Sequence, residues 1–284
     1  FFSRERLIWE DSPDWRDDLN GNQHLLGGLS DCDANDWLLK VPIAAEAIRA
    51  AIIEGARETN STAAAVYPLL LDLQVKHWRN LGAEATAADF DVNDETFAQR
   101  QQTLVERLLR DYPEDIQQML AIAALPLRFD QAALLHMANA NNIPNSIKKF
   151  HRLKTLSMID VDEDGWLSLH RAIADAIVQL TPEGERSHYR KQLRQHFEDR
   201  AKPDRPADVS HETLSALDQA MRLRMQEGPD GFLVWFQQAT ERVNAAKKTN
   251  FLQPAWQQVH AFLSQHFGET HPDTLMARHN LAFQ

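Results

Sequence analysis

Cysteine is nearly absent from this sequence: Cys32 is the one cysteine among 284 residues. A single thiol can form neither an intramolecular disulfide nor a cysteine metal cluster, which is typical of a reducing compartment, so we expect a cytoplasmic protein. Glycine is also scarce, with 10 residues, and all-β folds need many glycines in their turns. The composition therefore favours helix.

Long hydrophobic runs are missing as well. The longest run, residues 63–71, contains Pro68 and is far shorter than the roughly 20 residues that span a bilayer, so we expect no membrane segment. The chain opens on Phe1 and Phe2, without a starting Met or a signal-peptide layout. We therefore expect the protein to extend upstream.

Positive charge is in deficit, with 30 Lys and Arg against 41 Asp and Glu and a formal net charge of −11. Such a surface repels a phosphate backbone, which disfavours nucleic acid and favours protein partners. The phosphate-binding pattern Gly-x-x-x-x-Gly-Lys-Ser/Thr is also missing, and no Ser, His and Asp arrangement indicates a hydrolase. We expect this segment to contain no catalytic residues and to be inactive as an enzyme by itself.

The length of the chain predicts two or three compact units. Residues 1–30 are too irregular for one amphipathic element, whereas apolar residues at helical spacing predict a small helical domain over residues 31–110. Pro68 fits the first turn of a helix in that domain. A charged link with two prolines, at residues 202–206, indicates a further boundary.

Residues 111–202 show the layout of a winged helix. Three apolar stripes at helical spacing come first. Two runs that alternate with period two, residues 157–161 and 166–169, then flank the pair Asp164-Gly165, which is a strong hairpin signal. Two more helices follow the hairpin, which is the expected wing.

Residues 203–284 predict a series of helices, over residues 210–226, 231–247, 254–267 and from 272 onward. Short links join them, which is typical of an α-solenoid. The sequence thus predicts a mainly α chain: a helical domain, a winged helix with a small β-hairpin, and the beginning of a repeat-like solenoid.

The acidic hairpin turn has a second interpretation as a calcium loop. Asp160, Asp162 and Asp164 occupy the first, third and fifth places of an EF-hand loop. The twelfth place is Arg171, a cation where the ion needs a bidentate carboxylate. We therefore favour a solvated turn.

Three histidines, His260, His266 and His271, lie near one another in the sequence. Their spacings do not put them on one helical turn, and no carboxylate shares their register. We therefore expect this segment to bind no metal.

The third helix of the winged unit is basic, with Lys148, Lys149, His151, Arg152 and Lys154. Such a helix could enter a major groove, as in a transcription regulator. The acidic hairpin would then lie close to phosphate and repel it. We favour a solvated face and keep DNA binding as an alternative.

Two motifs of the first 110 residues resemble those of STAND ATPases, the nucleotide-switched class that includes NACHT and NB-ARC proteins. Residues 2–4 (FSR) resemble the end of the family's sensor strand, which implies that Arg4 lies near the γ-phosphate. Residues 66–69 (VYPL) resemble the Gly-Leu-Pro-Leu motif, which implies that Pro68 lies against adenine. The glycine and the first leucine of that motif are replaced here.

A third motif lies where the hairpin ends. Leu169-His170-Arg171 resembles the family's Met-His-Asp motif, which implies that His170 contacts the β-phosphate of ADP. This chain departs from the motif at both flanking positions. On physical grounds alone, a histidine that starts a helix after a hairpin can donate to phosphate or cap a loop.

The C-terminal residues carry the most specific resemblance. Residues 267–275 (FGETHPDTL), with Arg278, Asn280, Leu281 and Ala282, resemble tetratricopeptide repeats of the kinesin light chain type. Gly268 can end a helix there and Pro272 can begin the next one.

The combined resemblance implies the regulatory and sensor segment of a STAND signalling protein. Residues 1–30 would be the edge of an NTPase core, and ADP or ATP would bind only together with the missing upstream core, so that the full-length protein is an ATPase. A protein or peptide trigger would bind the repeats, and activation would involve self-association. A non-enzymatic peptide-binding scaffold and a winged-helix transcription regulator are the alternatives.

Overall fold

The computed structural model describes residues 2–3, 24–25, 28–57, 65–91, 97–144, 146–156 and 158–282. They belong to two compact units, Phe1–Asp111 and Tyr112–Gln284. Both units are built mainly of helices, and the described strands have two or three residues each. The predicted fold class, mainly α with a small β-hairpin, is confirmed.

The first unit begins with a short parallel strand pair, β1 (Phe2–Ser3) and β2 (His24–Leu25). Its helices are α1 (Asp31–Leu39), α2 (Glu46–Gly55), α3 (Pro68–Leu81) and α4 (Phe97–Arg110). Two 3-10 turns, Gly82–Glu84 and Ala87–Phe90, lie between α3 and α4.

Local chemistry explains where these helices begin. Ser30 caps α1, because its hydroxyl oxygen accepts the N–H of Asp33 at 3.1 Å. Pro68 is the first residue of α3, where a missing N–H costs nothing. Just before it, Val66 is fully buried and forms antiparallel bridges with Leu29 and Arg57. These two backbone bridges therefore fix the position of the chain just before α3.

A buried arginine joins the last helix of this unit to the second. Arg100 is 8% exposed, and its Nη1 donates to the carbonyl oxygens of Glu54 and Arg57 at 3.1 and 3.2 Å. Carbonyl groups at the end of a helix lack partners within the helix. Arg100 of α4 thus satisfies the C-terminal end of α2.

The second unit opens with the elements predicted as a winged helix. Its first helices are α5 (Glu114–Ala123), α6 (Gln131–Ala140) and α7 (Ile147–Lys154). An antiparallel hairpin follows, formed by β3 (Ile159–Val161) and β4 (Leu167–Leu169). The helices α8 (Arg171–Leu180) and α9 (Glu183–Arg200) come next.

The hairpin strands are shorter than the alternation predicted. The N–H of Asp162 donates to the carbonyl oxygen of Trp166 at 2.9 Å, and the Asp162 carboxylate accepts the N–H groups of Asp164 and Trp166. The chain therefore turns from residue 162 to residue 166, with Gly165 at a φ of 83° that favours glycine. The side chain of Asp162, and not only the Asp-Gly pair, sets the length of this turn.

A third segment pairs with the hairpin. Phe129 exchanges two backbone hydrogen bonds with Leu167, each 2.8 Å long, in an isolated antiparallel bridge. Phe129 and Leu167 are each 1% exposed. The link between α5 and α6 is thereby fixed against β4.

The remaining helices of the second unit follow a 3-10 turn at Pro206–Asp208. They are α10 (His211–Glu227), α11 (Phe232–Ala245), α12 (Thr249–Phe267) and α13 (Pro272–Ala282). The prediction that α12 begins at Pro254 is wrong, since the helix starts five residues earlier and includes this proline. Pro254 is exposed and is the sixth residue of the helix, so its missing N–H removes one hydrogen bond of the second turn.

Polar contacts join α10 to the elements before it. Arg194 of α9 pairs with Glu198 at 2.5 Å and with Glu227 of α10 at 2.9 Å. Fully buried Gln219 accepts the backbone N–H of Arg128 at 3.0 Å. The segments predicted as a winged helix and as repeats thus lie in one compact unit.

We expect Gly55→Ala to destabilise the first unit. A Cβ at this position would lie 2.3 Å from Nε2 of fully buried Gln74 and 3.0 Å from the carbonyl oxygen of Phe90. Such overpacking costs about 1–3 kcal/mol. The free energy of unfolding, measured by urea denaturation, should fall by that amount.

Gly184→Ala is the matched control, because a Cβ at Gly184 would have no atom within 4 Å. Alanine is favoured over glycine in a helix by roughly 0.5–1 kcal/mol, so this variant should be neutral or slightly stabilised. Equal stabilities of the two variants would contradict the assigned packing at Gly55.

Candidate functional site

His170 lies at the junction between β4 and α8, where the hairpin ends and a helix begins. Its backbone N–H donates to the carbonyl oxygen of Met158 at 2.8 Å. Its own carbonyl oxygen accepts the N–H groups of Ile173 and Ala174 at 2.9 and 3.0 Å. The backbone is thus held on both sides, and the residue is half-buried.

The surroundings of this histidine suit a negatively charged ligand. His170 is the N-cap residue of α8. The positive end of the α8 dipole lies at this junction. Arg171 adds a cation, although its Nε pairs with Asp175 at 3.0 Å. The junction therefore presents an imidazole and a helix start together.

The other two candidate residues have different outcomes. Pro68 belongs to the first unit and is exposed at the start of α3, where its position has a sufficient structural reason. Arg4 lies outside the described residues. Of the three candidate residues, the structure therefore describes two, Pro68 in the first unit and His170 in the second.

The acidic hairpin turn is held by the protein itself. The Asp162 carboxylate receives two backbone N–H groups and pairs with Arg128 at 3.1 Å. Desolvation raises the pKa of Asp162, but the hydrogen bonds from Trp166 and Arg128 outweigh it and lower the pKa overall. The Asp162 carboxylate thus stabilises the turn through contacts within the protein.

The basic helix α7 is partly neutralised by an ion pair. Lys149 donates to the Asp115 carboxylate and, at 2.9 Å, to the carbonyl oxygen of Pro144. This hydrogen bond from Lys149 also holds the pKa of Asp115 below its usual range. One of the five basic residues of α7 thus anchors this helix to α5.

The histidines at residues 260, 266 and 271 do not converge. Each has its own neighbour: His260 lies near Glu269, His266 near the carbonyl oxygen of Phe262, and His271 stacks on Phe267. Within the described ranges, no group of three or more His, Cys, Asp and Glu side chains could hold a metal ion.

Two histidines that the sequence analysis did not single out meet between α6 and α9. The rings of His136 and His196 stack with centroids 4.4 Å apart, and they line a groove of about 460 Å³ together with Arg200. Burial, and then repulsion from His136 and Arg200, lowers the pKa of His196. These residues are far apart in sequence, so no local motif could have indicated the pair.

Comparisons with other proteins add no assignment. The chain matches no protein-family model, no curated protein and no solved structure. Among the described helices, none has the length and apolar character that a membrane crossing requires. The resemblances to STAND ATPases and to tetratricopeptide repeats therefore depend on the short motifs alone.

We expect the second unit to lose stability as the pH falls from about 7.5 to 5.5. The lowered pKa of His196 means that the unfolded chain binds a proton more readily than the folded one. The free energy of unfolding should thus decrease once the pH drops below the unfolded value of about 6.5. His196→Gln should reduce this loss, measured by urea denaturation at each pH.

His188→Gln is the control, since His188 lies exposed on the same helix. It should keep the pH dependence of the wild type. A His196→Gln protein with the full wild-type pH dependence would show that His196 does not cause it.

Proposed function

We propose that this chain is the regulatory and sensor segment of a nucleotide-switched signalling ATPase of the STAND class. The observation that carries the proposal is the position of His170, a half-buried imidazole at the start of α8 with its backbone anchored to Met158. In the resting state His170 contacts the β-phosphate of ADP, which an upstream core binds. ADP thereby stabilises the closed conformation over the open one.

A chain of hydrogen bonds supports a link between His170 and the C-terminal helices. Gln219 of α10 accepts the N–H of Arg128, and the next residue, Phe129, pairs with Leu167 of β4. His170 follows directly after β4. In this proposal, a trigger that shifts α10 therefore moves the strand that positions the histidine.

The helices α10 to α13 supply the receiving surface in this proposal. Short links join them, and each contacts the next along the chain. Aromatic rings pack between α11 and α12, where the ring centroids of Phe236 and Trp256 lie 4.8 Å apart and those of Phe232 and Phe262 lie 5.0 Å apart. A protein or peptide trigger binds this surface. Release of the clamp then permits self-association and signalling, which we place in the cytoplasm.

A peptide-binding scaffold without nucleotide is the second candidate. It is favoured by the structural role of Pro68, which needs no adenine to explain it, and by Arg171 in place of the family's aspartate. The two candidates differ in what His170 does. Retention of ADP therefore separates them.

We expect His170→Ala to speed the release of ADP from a full-length protein that includes the upstream core. A hydrogen bond to a charged group contributes about 1.5–3 kcal/mol, which corresponds to roughly 10- to 150-fold faster release. Stopped-flow measurement with a fluorescent ADP analogue gives the rate. His188→Ala serves as the control and should release ADP at the wild-type rate. Unchanged release from His170→Ala would leave the scaffold as the better description.

We also expect the 284-residue chain by itself to bind neither ATP nor ADP. Phosphoryl transfer needs a backbone cradle, a lysine and a magnesium-binding carboxylate together, and peripheral contacts cannot replace them. Isothermal titration with each nucleotide and magnesium should give no heat of binding up to millimolar concentrations. Micromolar affinity with turnover would overturn the proposed division of labour.

A further inference from the structure

A groove of about 530 Å³ lies beside α10 in the second unit. Residues of the turn between α11 and α12 and Arg128 also line it. Half-buried Leu214 and Phe251 line it with apolar surface. The groove is therefore large enough for a few side chains of a partner, and part of its lining is apolar.

Positive charge exceeds negative charge in this groove. Arg128 pairs with Asp162 at 3.1 Å, and Arg222 pairs with Asp218 at 2.9 Å. Lys247 and Lys248 are exposed and form no ion pair with any described residue. Two lysine charges thus remain for a ligand, on a chain whose net charge is −11.

Lys247 has an unusual backbone conformation. Its φ is 54°, and it follows the end of α11, where its N–H donates to Asn244 and the next N–H donates to Val243. This is the Schellman arrangement, in which the left-handed position is usually glycine. The ends of α10 and α12 have Gly228 and Gly268 at positive φ.

A lysine at that position is unfavourable for the backbone. A side chain in the left-handed region clashes with the following carbonyl group, and glycine avoids this clash. Strained residues of this kind concentrate at functional sites. Lys247 is one of the residues that line the groove, and its side chain supplies a positive charge that glycine could not.

We propose that this groove binds an acidic polypeptide segment of a partner protein. Carboxylates of the segment pair with Lys247 and Lys248, and an apolar side chain packs on Leu214 and Phe251. A small inorganic anion would not use the apolar lining, whereas a peptide uses both parts. This inference rests on the proposed sensor function, in which the groove is the site where the trigger binds.

The test is fluorescence anisotropy of a labelled peptide of Glu and Leu residues with the 284-residue chain. A second peptide, with Gln in place of every Glu, measures the contribution of charge. Lys248→Ala should weaken binding of the acidic peptide about two- to fivefold, as expected for loss of one exposed ion pair. Lys191→Ala, an exposed lysine on α9 outside the groove, should have no effect.

Lys247→Gly separates binding from a merely structural role. It should raise the Tm by about 2–4 °C, because it relieves the left-handed strain, and yet weaken the acidic peptide two- to fivefold. A higher Tm with unchanged affinity would mean that Lys247 has no part in binding and would overturn the proposal. Equal binding of the Glu and Gln peptides would do the same.

Competition experiments identify the ligand class. Inorganic phosphate at constant ionic strength should not displace the acidic peptide, and a single-stranded oligonucleotide should bind more weakly than the peptide. Displacement by phosphate, or tighter binding of the oligonucleotide, would overturn the assignment to a peptide.

The groove and the nucleotide clamp fail independently. If the acidic peptide does not bind but His170→Ala still speeds ADP release, the groove assignment is wrong and the sensor role stands. If the peptide binds as expected and His170→Ala changes nothing, the groove stands as part of a scaffold.

Discussion

The carboxamide of Gln219 accepts the backbone N–H of Arg128 at 3.0 Å from a fully buried position on α10. A buried N–H without a partner costs about 1–3 kcal/mol, so the link between α5 and α6 is held against α10. Held there, Phe129 is in register to exchange its two hydrogen bonds with Leu167. This contact thereby links α10 to the hairpin strand that directly precedes His170.

Arginines on α9 extend the same connection along its length. Arg200 pairs with Asp130, which caps α6, and with Glu212 in the first turn of α10, and its guanidinium lies 5.7 Å from the centre of the Trp166 ring. Desolvation lowers the pKa of Arg200, but the two carboxylates outweigh it and raise the pKa overall. Several acidic residues of the second unit are thus paired with arginines of α9. The α11–α12 turn differs, because it carries two exposed lysines, Lys247 and Lys248.

Much of the local structure could be predicted because its causes are local. Ser30 and Ser210 cap helices, Gly268 ends one, and the alternation around residues 159–169 gives a hairpin. The errors also have local causes. A proline is typical of a helix start, which is why the sequence predicts one at Pro254, yet α12 begins at Thr249. The Asp162 carboxylate also lengthens the hairpin turn beyond the Asp-Gly pair.

The sequence by itself determined the helical character of the chain, the order of its elements and the place of His170 after a strand, since each follows from residues within a few positions of one another. Only the tertiary structure decided which side chains meet. His136 stacks on His196, and Arg128 lies in the same groove as Lys247, because buried hydrogen bonds and apolar packing bring distant segments together. Such contacts have no period or spacing along the chain, which is why the sequence could not show them.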